Sequence, residues 1–329
     1  DAGLGTSHGG RRQILRNHRG AALLAAMLTV TLVATLAATA LWQQWRSVEV
    51  EAAERTRVQS TWLLTGALDW ARLILRQDAS AGGADHLAEP WAVPLQEARL
   101  STFLSMDSSS ADADRDAFLS GQITDLQGRM NLTNLIEDDK LSVPASQALA
   151  RLFDQLGLPT TELSPLTQNM LAARKILKPG EGADPLTPLL PQTVEQLVWL
   201  GLSPQTVAAL RPYVTLLPER TPLNINTASA EVIQATVPGV QKADATRLVN
   251  AREQAHFATL TDAARLMPAL GDAGVSSQLA VNSRFFAVRG RVRLDRAVVE
   301  EVSVVQRDGV NVRTLKRERG PAPDSAPAR

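Results

Sequence analysis

The feature that most restricts this chain is a run from Ala21 to Trp42 without a single charged residue. At ~1.5 Å rise per residue, such a run in helical form spans roughly the ~30 Å hydrocarbon core of a bilayer. Thr29, Thr31, Thr35 and Thr39 lie inside it. Their hydroxyls can bond back to helix carbonyls, so they do not forbid insertion. Residues 11–20, RRQILRNHRG, carry Arg11, Arg12, Arg16 and Arg19 and no acid. Arginines before the run and a balanced sequence after it place the amino end on the cytoplasmic side. A cleaved secretory signal would need an apolar region of about 7–15 residues before a small-x-small site. Ala38-Thr39-Ala40 offers such a site, but the run is longer than a signal requires.

The residues after the run also argue for a retained anchor. Glu49, Glu51, Glu54, Arg55 and Arg57 alternate with Val48, Val50, Ala52, Ala53 and Val58, and TWLLTGALDWARLILRQ continues without a Gly-Pro break. Leu64, Ala67, Leu68, Ala71 and Leu75 recur at three-four spacing, which predicts one apolar face. The expectation is a single long helix over 21–78, apolar first and amphipathic later. Elsewhere the composition mainly excludes. Basic and acidic residues number 34 each, so no global field draws nucleic acid. The 44% apolar content is too high for a disordered chain. There is no cysteine, hence no disulfide framework, Cys-based zinc site or Cys nucleophile.

A basic leader ending in glycine, then an apolar helix that turns amphipathic, resembles the amino terminus of pilins and pseudopilins. The resemblance implies cleavage by the prepilin peptidase between Gly20 and Ala21. Most such proteins carry glutamate at the fifth mature position, which here is Ala25. A glutamate buried in the bilayer needs a partner, and a subunit with no neighbour above it has none. That pattern resembles the K-type minor pseudopilin of type II secretion systems. Two further segments are similar to that family: Asp125 to Leu135, with Asp125, Gly128, Asn131 and Asn134, and Thr221 to Ala228, with Pro222, Asn224, Asn226 and Thr227. Ser283-Arg284-Phe285-Phe286 is similar to its S-x-x-F stretch.

The resemblance implies a single-pass protein of the bacterial inner membrane with the bulk of the chain in the periplasm. It also implies the I- and J-type minor pseudopilins and other pseudopilus and secretion components as partners, and a place at the pseudopilus tip. No required cofactor is expected, and the balanced charge gives no reason to expect nucleic acid as a partner. Relatives of this type can bind calcium, through ligands that the sequence leaves undetermined.

The local reading is of an α+β fold: a long amino-terminal helix on a small antiparallel sheet, with a large, mostly helical insertion. The parts are a leader over 1–20, the helix over 21–78, a loop-rich first α+β segment over 79–137, the insertion over 138–280, closing strands over 281–317 and a disordered tail over 318–329. In the insertion, Ser164-Pro165 and Ser203-Pro204 read as capped helix starts, and Gly157 and Gly201 as helix ends. Apolar faces predict helices over 147–156, 166–177, 194–200 and 206–217. RFFAVRGRVRLD, AVVEEVSVVQ and VNVRTLKRE read as strands, the last two joined at Asp308-Gly309, a strong hairpin signal.

Residues 224–266 raise a rival reading, because they resemble the helix-hairpin-helix module of DNA-uptake receptors. Such a turn offers backbone N–H groups to phosphate. Here Gly239-Val240-Gln241 puts a side chain where the second glycine would sit, and Lys242, Arg247, Arg252 and Arg265 are balanced by Glu231, Asp244, Glu253 and Asp262. Packing is therefore the expected role. Asp107, Asp112, Asp114 and Asp116 lack the glycine and late glutamate of an EF-hand loop, which favours a solvated loop. His8, His18, His86 and His256 are scattered, and no HExxH, Walker A or GxSxG motif appears, so no catalytic constellation is expected.

Overall fold

The computed structural model describes residues 11–100, 117–175, 188–294 and 297–321. Helix α1 (Arg11–Ala81) is continuous over 71 residues, longer at both ends than the expected 21–78. Gly20 and Gly66 lie within it, and an interior glycine costs only about 1 kcal/mol against alanine. The helix stops at Gly82 and Gly83, whose φ of +69° and +118° few other residues adopt.

The chain divides into one unit up to Thr61 and a second from Trp62. In the first, the side chains from Leu23 to Trp45 stand exposed, Leu28 by 68%. The threonine hydroxyls donate back along the helix, Thr29 to the Ala26 carbonyl at 2.8 Å and Thr39 to that of Thr35 at 3.0 Å. Among the described residues, α1 is the one helix long and apolar enough to cross a membrane.

In the second unit a five-stranded antiparallel sheet runs in the order β1 (Leu95–Arg99), β2 (Ala117–Asp125), β9 (Phe285–Leu294), β10 (Ala297–Asp308), β11 (Asn311–Pro321). Leu64, Leu68, Ala71 and Leu75, four of the five residues chosen by spacing, are buried on the sheet's inner face. They meet Ile123, Phe286, Val288, Val292 and Val305. Gly290 lets α1 come close, since a Cβ there would lie 3.1 Å from Leu64 Cδ2. The Asp308-Gly309 hairpin forms, with Gly309 at φ +56° and Asp308 opposite Asn311.

The structure departs from two expectations at the sheet edges. The loop-rich stretch after α1 contains strand β1, which carries little local signal and is held by pairing with β2. The tail expected to be disordered from 318 remains strand to Pro321, because β10 offers a partner to that point and Arg317 and Arg319 both reach Glu301.

Between β2 and β9 lies a mostly helical region with two apolar cores. Helices α2 (Val143–Gln155), α3 (Leu163–Lys175) and α4 (Pro204–Leu210) build the first, around Leu149, Phe153, Leu166 and Leu210. Helices α5 (Ala230–Thr236), α6 (Lys242–Gln254) and α7 (Leu260–Leu266) build the second, around Ile233, Leu248 and Ala263. Gly157 and Gly201 end their segments at φ +64° and +101°, and Ser203 Oγ accepts from the Thr206 N–H.

Ser164 is not a cap: a 3₁₀ turn over Thr160–Glu162 starts α3 at Leu163. The segment Val194–Leu200 is 3₁₀ rather than α. The helix expected to reach 217 stops at Leu210, because β6 (Val214–Thr215) pairs in parallel with β3 (Met130–Asn131). Short strands also join β4 (Ile136–Glu137) to β5 (Lys140–Leu141), and β7 (Leu223–Asn224) to β8 (Leu279–Ala280).

Candidate functional site

The motif residues converge on one buried polar joint, where β2 leaves the sheet and β9 re-enters it. Asp125 ends β2 and is buried. Its Oδ1 accepts the Gln127 N–H at 2.7 Å. Its Oδ2 accepts from Thr227 Oγ1 and Ser283 Oγ, each at 2.6 Å, and from Asn224 Nδ2 at 3.1 Å. Burial pushes this carboxyl above its ordinary range, and the hydroxyl and amide donors pull against that. Gly128 is needed for close approach, since a Cβ would sit 2.8 Å from Thr227 Oγ1 and 3.1 Å from the Thr227 carbonyl.

The other motif residues act as clamps on backbone. Asn131 Nδ2 donates to the Glu219 carbonyl at 2.8 Å, and its Oδ1 accepts the Leu217 N–H. Asn134 bonds both backbone groups of Thr221. Asn226 does the same for Phe257, at 2.9 and 3.0 Å. The Pro222 carbonyl accepts from Gln127 Nε2. A buried backbone group left without a partner costs about 1–3 kcal/mol, so these amides hold loops that no ladder could. Gly239 stands apart from the joint, in the turn between α5 and α6 at φ +77°.

A second cluster adjoins the joint and has no signature in the local sequence. Asp85 Oδ2 accepts the Ser283 N–H at 2.6 Å, while Arg307 of β10 pairs with Asp85 and, at 2.6 Å, with Asp78 of α1. Glu89 Oε2 accepts from the His86 N–H at 2.9 Å and from Trp91 Nε1 at 2.7 Å. The rings of His86 and His256 stack at 3.7 Å, so two histidines that look scattered in sequence are neighbours in space. Oxygens of Asp78, Asp85 and Glu89 lie within 4.8 Å of one another, and each of these residues already has partners in the protein. The aspartates at 107, 112, 114 and 116 lie outside the described residues.

Burial, aided by Asp78, pushes the Glu89 carboxyl up to about 7, against the two N–H groups it accepts. The folded chain therefore holds this proton more tightly than the unfolded one. The resulting stability is full below the ordinary pKa near 4.5 and is lost as pH rises through about 7. Glutamine mimics the protonated form. Discounted for solvent exposure, Glu89→Gln is expected to stabilise the protein at pH 8 by about 1 kcal/mol, or ~2–4 °C in Tm. The gain should vanish near pH 4.5. Thermal unfolding at both pH values checks it, and an equal effect at both contradicts the assignment.

The helix-hairpin-helix-like turn is closed to phosphate by its own acid. Asp244 sits three residues into α6, facing the Gln241 N–H, and also pairs with Arg247 at 3.0 Å. Arg252 is buried, bonding the Ile225 carbonyl. Titration with duplex DNA at ~150 mM salt is expected to show nothing tighter than the ~10⁻⁴–10⁻⁶ M of non-specific binding. A submicromolar Kd would reverse this reading.

Profiles for protein K of the type II secretion system match residues 128–219 and 223–282. The chain is 28% identical to Type II secretion system protein K of Pseudomonas aeruginosa, over 93% of this chain and 94% of that one. It is 27% identical to the protein of the same name from Klebsiella pneumoniae, over 92% of this chain and 98% of that one. The structure resembles a chain in the crystal structure of the GspK-GspI-GspJ complex from enterotoxigenic Escherichia coli. The TM-score is 0.62 at 17% identity, covering 82% of this chain and 98% of that one.

Proposed function

This chain belongs to the type II secretion system protein K family, and from that premise we propose that it is the minor pseudopilin that initiates and caps the pseudopilus. The observation that carries the reading is α1. Its uncharged stretch from Ala21 to Trp42 stands exposed, and the same helix later packs Leu64, Leu68 and Leu75 onto the sheet. The anchor and the first element of the folded body are thus one helix, with no linker between them.

In this proposal the prepilin peptidase cuts between Gly20 and Ala21, the amino end faces the cytoplasm, and the compact unit is periplasmic in the inner-membrane-anchored form. The tip position is supported by Ala25, which leaves no carboxylate to be paired by a subunit above. It is also supported by the long helical excursion between β2 and β9, which is hard to repeat along a thin fibre. The partners in this reading are the I- and J-type minor pseudopilins, as the solved relative was found with its own GspI and GspJ.

The full-length chain, co-expressed with the prepilin peptidase and with the I- and J-type pseudopilins of the same organism, is expected to co-purify with both. Intact-mass measurement should place the mature terminus at Ala21. A chain that binds neither partner, or whose terminus lies beyond Ala40, contradicts the proposal.

A further inference from the structure

Asn224 and Asn226 fix the places of two histidines. Asn224 Nδ2 donates to the Asp85 carbonyl at 3.1 Å, and Asn226 bonds both backbone groups of Phe257. His86 directly follows Asp85, and His256 directly precedes Phe257. The Asp85 N–H is held as well, by the Val281 carbonyl at 2.9 Å. The two imidazoles therefore leave clamped backbones, and their rings stack with centroids 3.7 Å apart and planes 9° from parallel. One lies in the loop leaving α1 and the other between α6 and α7, so the stack bridges that loop and the helical region.

Such a stack suits two neutral rings and not two protonated ones. Unit charges about 4 Å apart repel by a factor of roughly five in an equilibrium constant even in bulk water. The Ala88 N–H donates to His86 Nδ1 at 3.3 Å, which assigns the neutral ring's proton to Nε2. A second proton, on Nδ1, would break that bond too. His256 is exposed and His86 half-buried, so protons from solvent reach the pair.

We propose that the His86–His256 stack is an acid-released latch, closed while the rings are neutral and opened when they are protonated. Burial and the neighbouring His256 hold His86 below its ordinary pKa of 6.5, against the pull of Asp78 and Asp85. Both aspartates are engaged by Arg307 of β10. With a depressed pKa, the latch contributes fully above pH 6.5 and is lost as pH falls below that value. Glu89, which accepts the His86 N–H, acts in the opposite sense, since its protonation tightens the same loop as pH falls through about 7. The loop is accordingly held best between the two transitions.

The test uses full-length protein in detergent carrying Glu89→Gln, so that the imidazoles titrate without the opposing carboxyl. Hydrogen exchange, corrected for its intrinsic pH dependence, is compared at about pH 7.5 and about pH 5. Amides over 84–88 and 255–258 are expected to exchange about five-fold faster in acid, with α2 and β10 unchanged. His86→Phe/His256→Phe keeps two stacked rings that cannot be charged, and its exchange should not respond to pH. NMR titration should place His86 below 6.5, and His256→Phe should move it upward by removing the like charge. That titration decides without the double variant.

Exchange that ignores pH, an equal acid response in His86→Phe/His256→Phe, or a His86 pKa at or above 6.5 overturns the latch. Slowed exchange of both loops in ~0.1 mM Zn²⁺, with no response to acid, would mark a metal site and equally overturn it. The latch requires only the folded compact unit, so its failure leaves the assembly reading standing.

Discussion

Replacing Asp125 with alanine is expected to cost the compact unit about 4 kcal/mol, a large fraction of the ~5–15 kcal/mol that holds a typical domain folded. The side chain accepts four hydrogen bonds, from Gln127, Asn224, Thr227 and Ser283, and it is buried. Alanine leaves these donors facing an apolar gap with no room to recruit much water. Asparagine should be milder, about 1–2 kcal/mol, because the hydroxyls of Thr227 and Ser283 can turn to accept from its amide. Urea unfolding followed by tryptophan fluorescence measures both. Equal costs for the two variants, or less than about 1 kcal/mol for alanine, would show that the joint contributes little.

The second large effect is at Phe286. Its ring is fully buried in the core cluster that holds Leu68 and Leu75 of α1, stands edge-on to Trp91 at 5.2 Å and lies 4.8 Å from the Arg307 guanidinium. Phe286→Ala opens a cavity where the helix meets the sheet, and such truncations cost about 3–5 kcal/mol. The loss should be local in character, because the two cores of the helical region do not include this ring. Hydrogen exchange is expected to speed up over residues 64–78 and in β9, with α5 and α6 little changed. Uniform acceleration across all helices would mean that the sheet and the helical region unfold as one.

Both residues lie in stretches singled out by resemblance, yet the reasons for their importance differ in legibility. The spacing of Leu64, Leu68 and Leu75 declared a buried face without any structure, because helical period is a local property. The same holds for Ser203 as a cap and for Gly309 as a hairpin residue, where a few neighbouring residues fix the geometry. Ser164 misled because its position one residue before a proline imitates a helix start, while the real start was set by the preceding 3₁₀ turn. Strand β1 and the end of β11 were decided by their partners, since edge pairing depends on which strand lies alongside.

Asp85, Glu89 and Arg307 carry no signal in the sequence at all. The bond between Asp85 and Arg307 spans 222 residues, and no local pattern distinguishes these residues from other charged ones. His86 and His256 are just as remote in sequence and stack all the same.

By itself the sequence determined the character of α1, apolar first and amphipathic later, and the strands that close the sheet, because these depend on hydrophobic period and turn chemistry. It also marked Asp125, Asn131, Asn224 and Asn226 without revealing their use. The tertiary structure decided the strand order, the stacked histidines and the convergence of three motifs on Asp125. Ser283 reaches that carboxylate from 158 residues away. The chain must first fold a whole helical region between β2 and β9 before Thr227 and Ser283 can meet Asp125. Such contacts depend on the packing of everything between them, and burial then makes their hydrogen bonds obligatory.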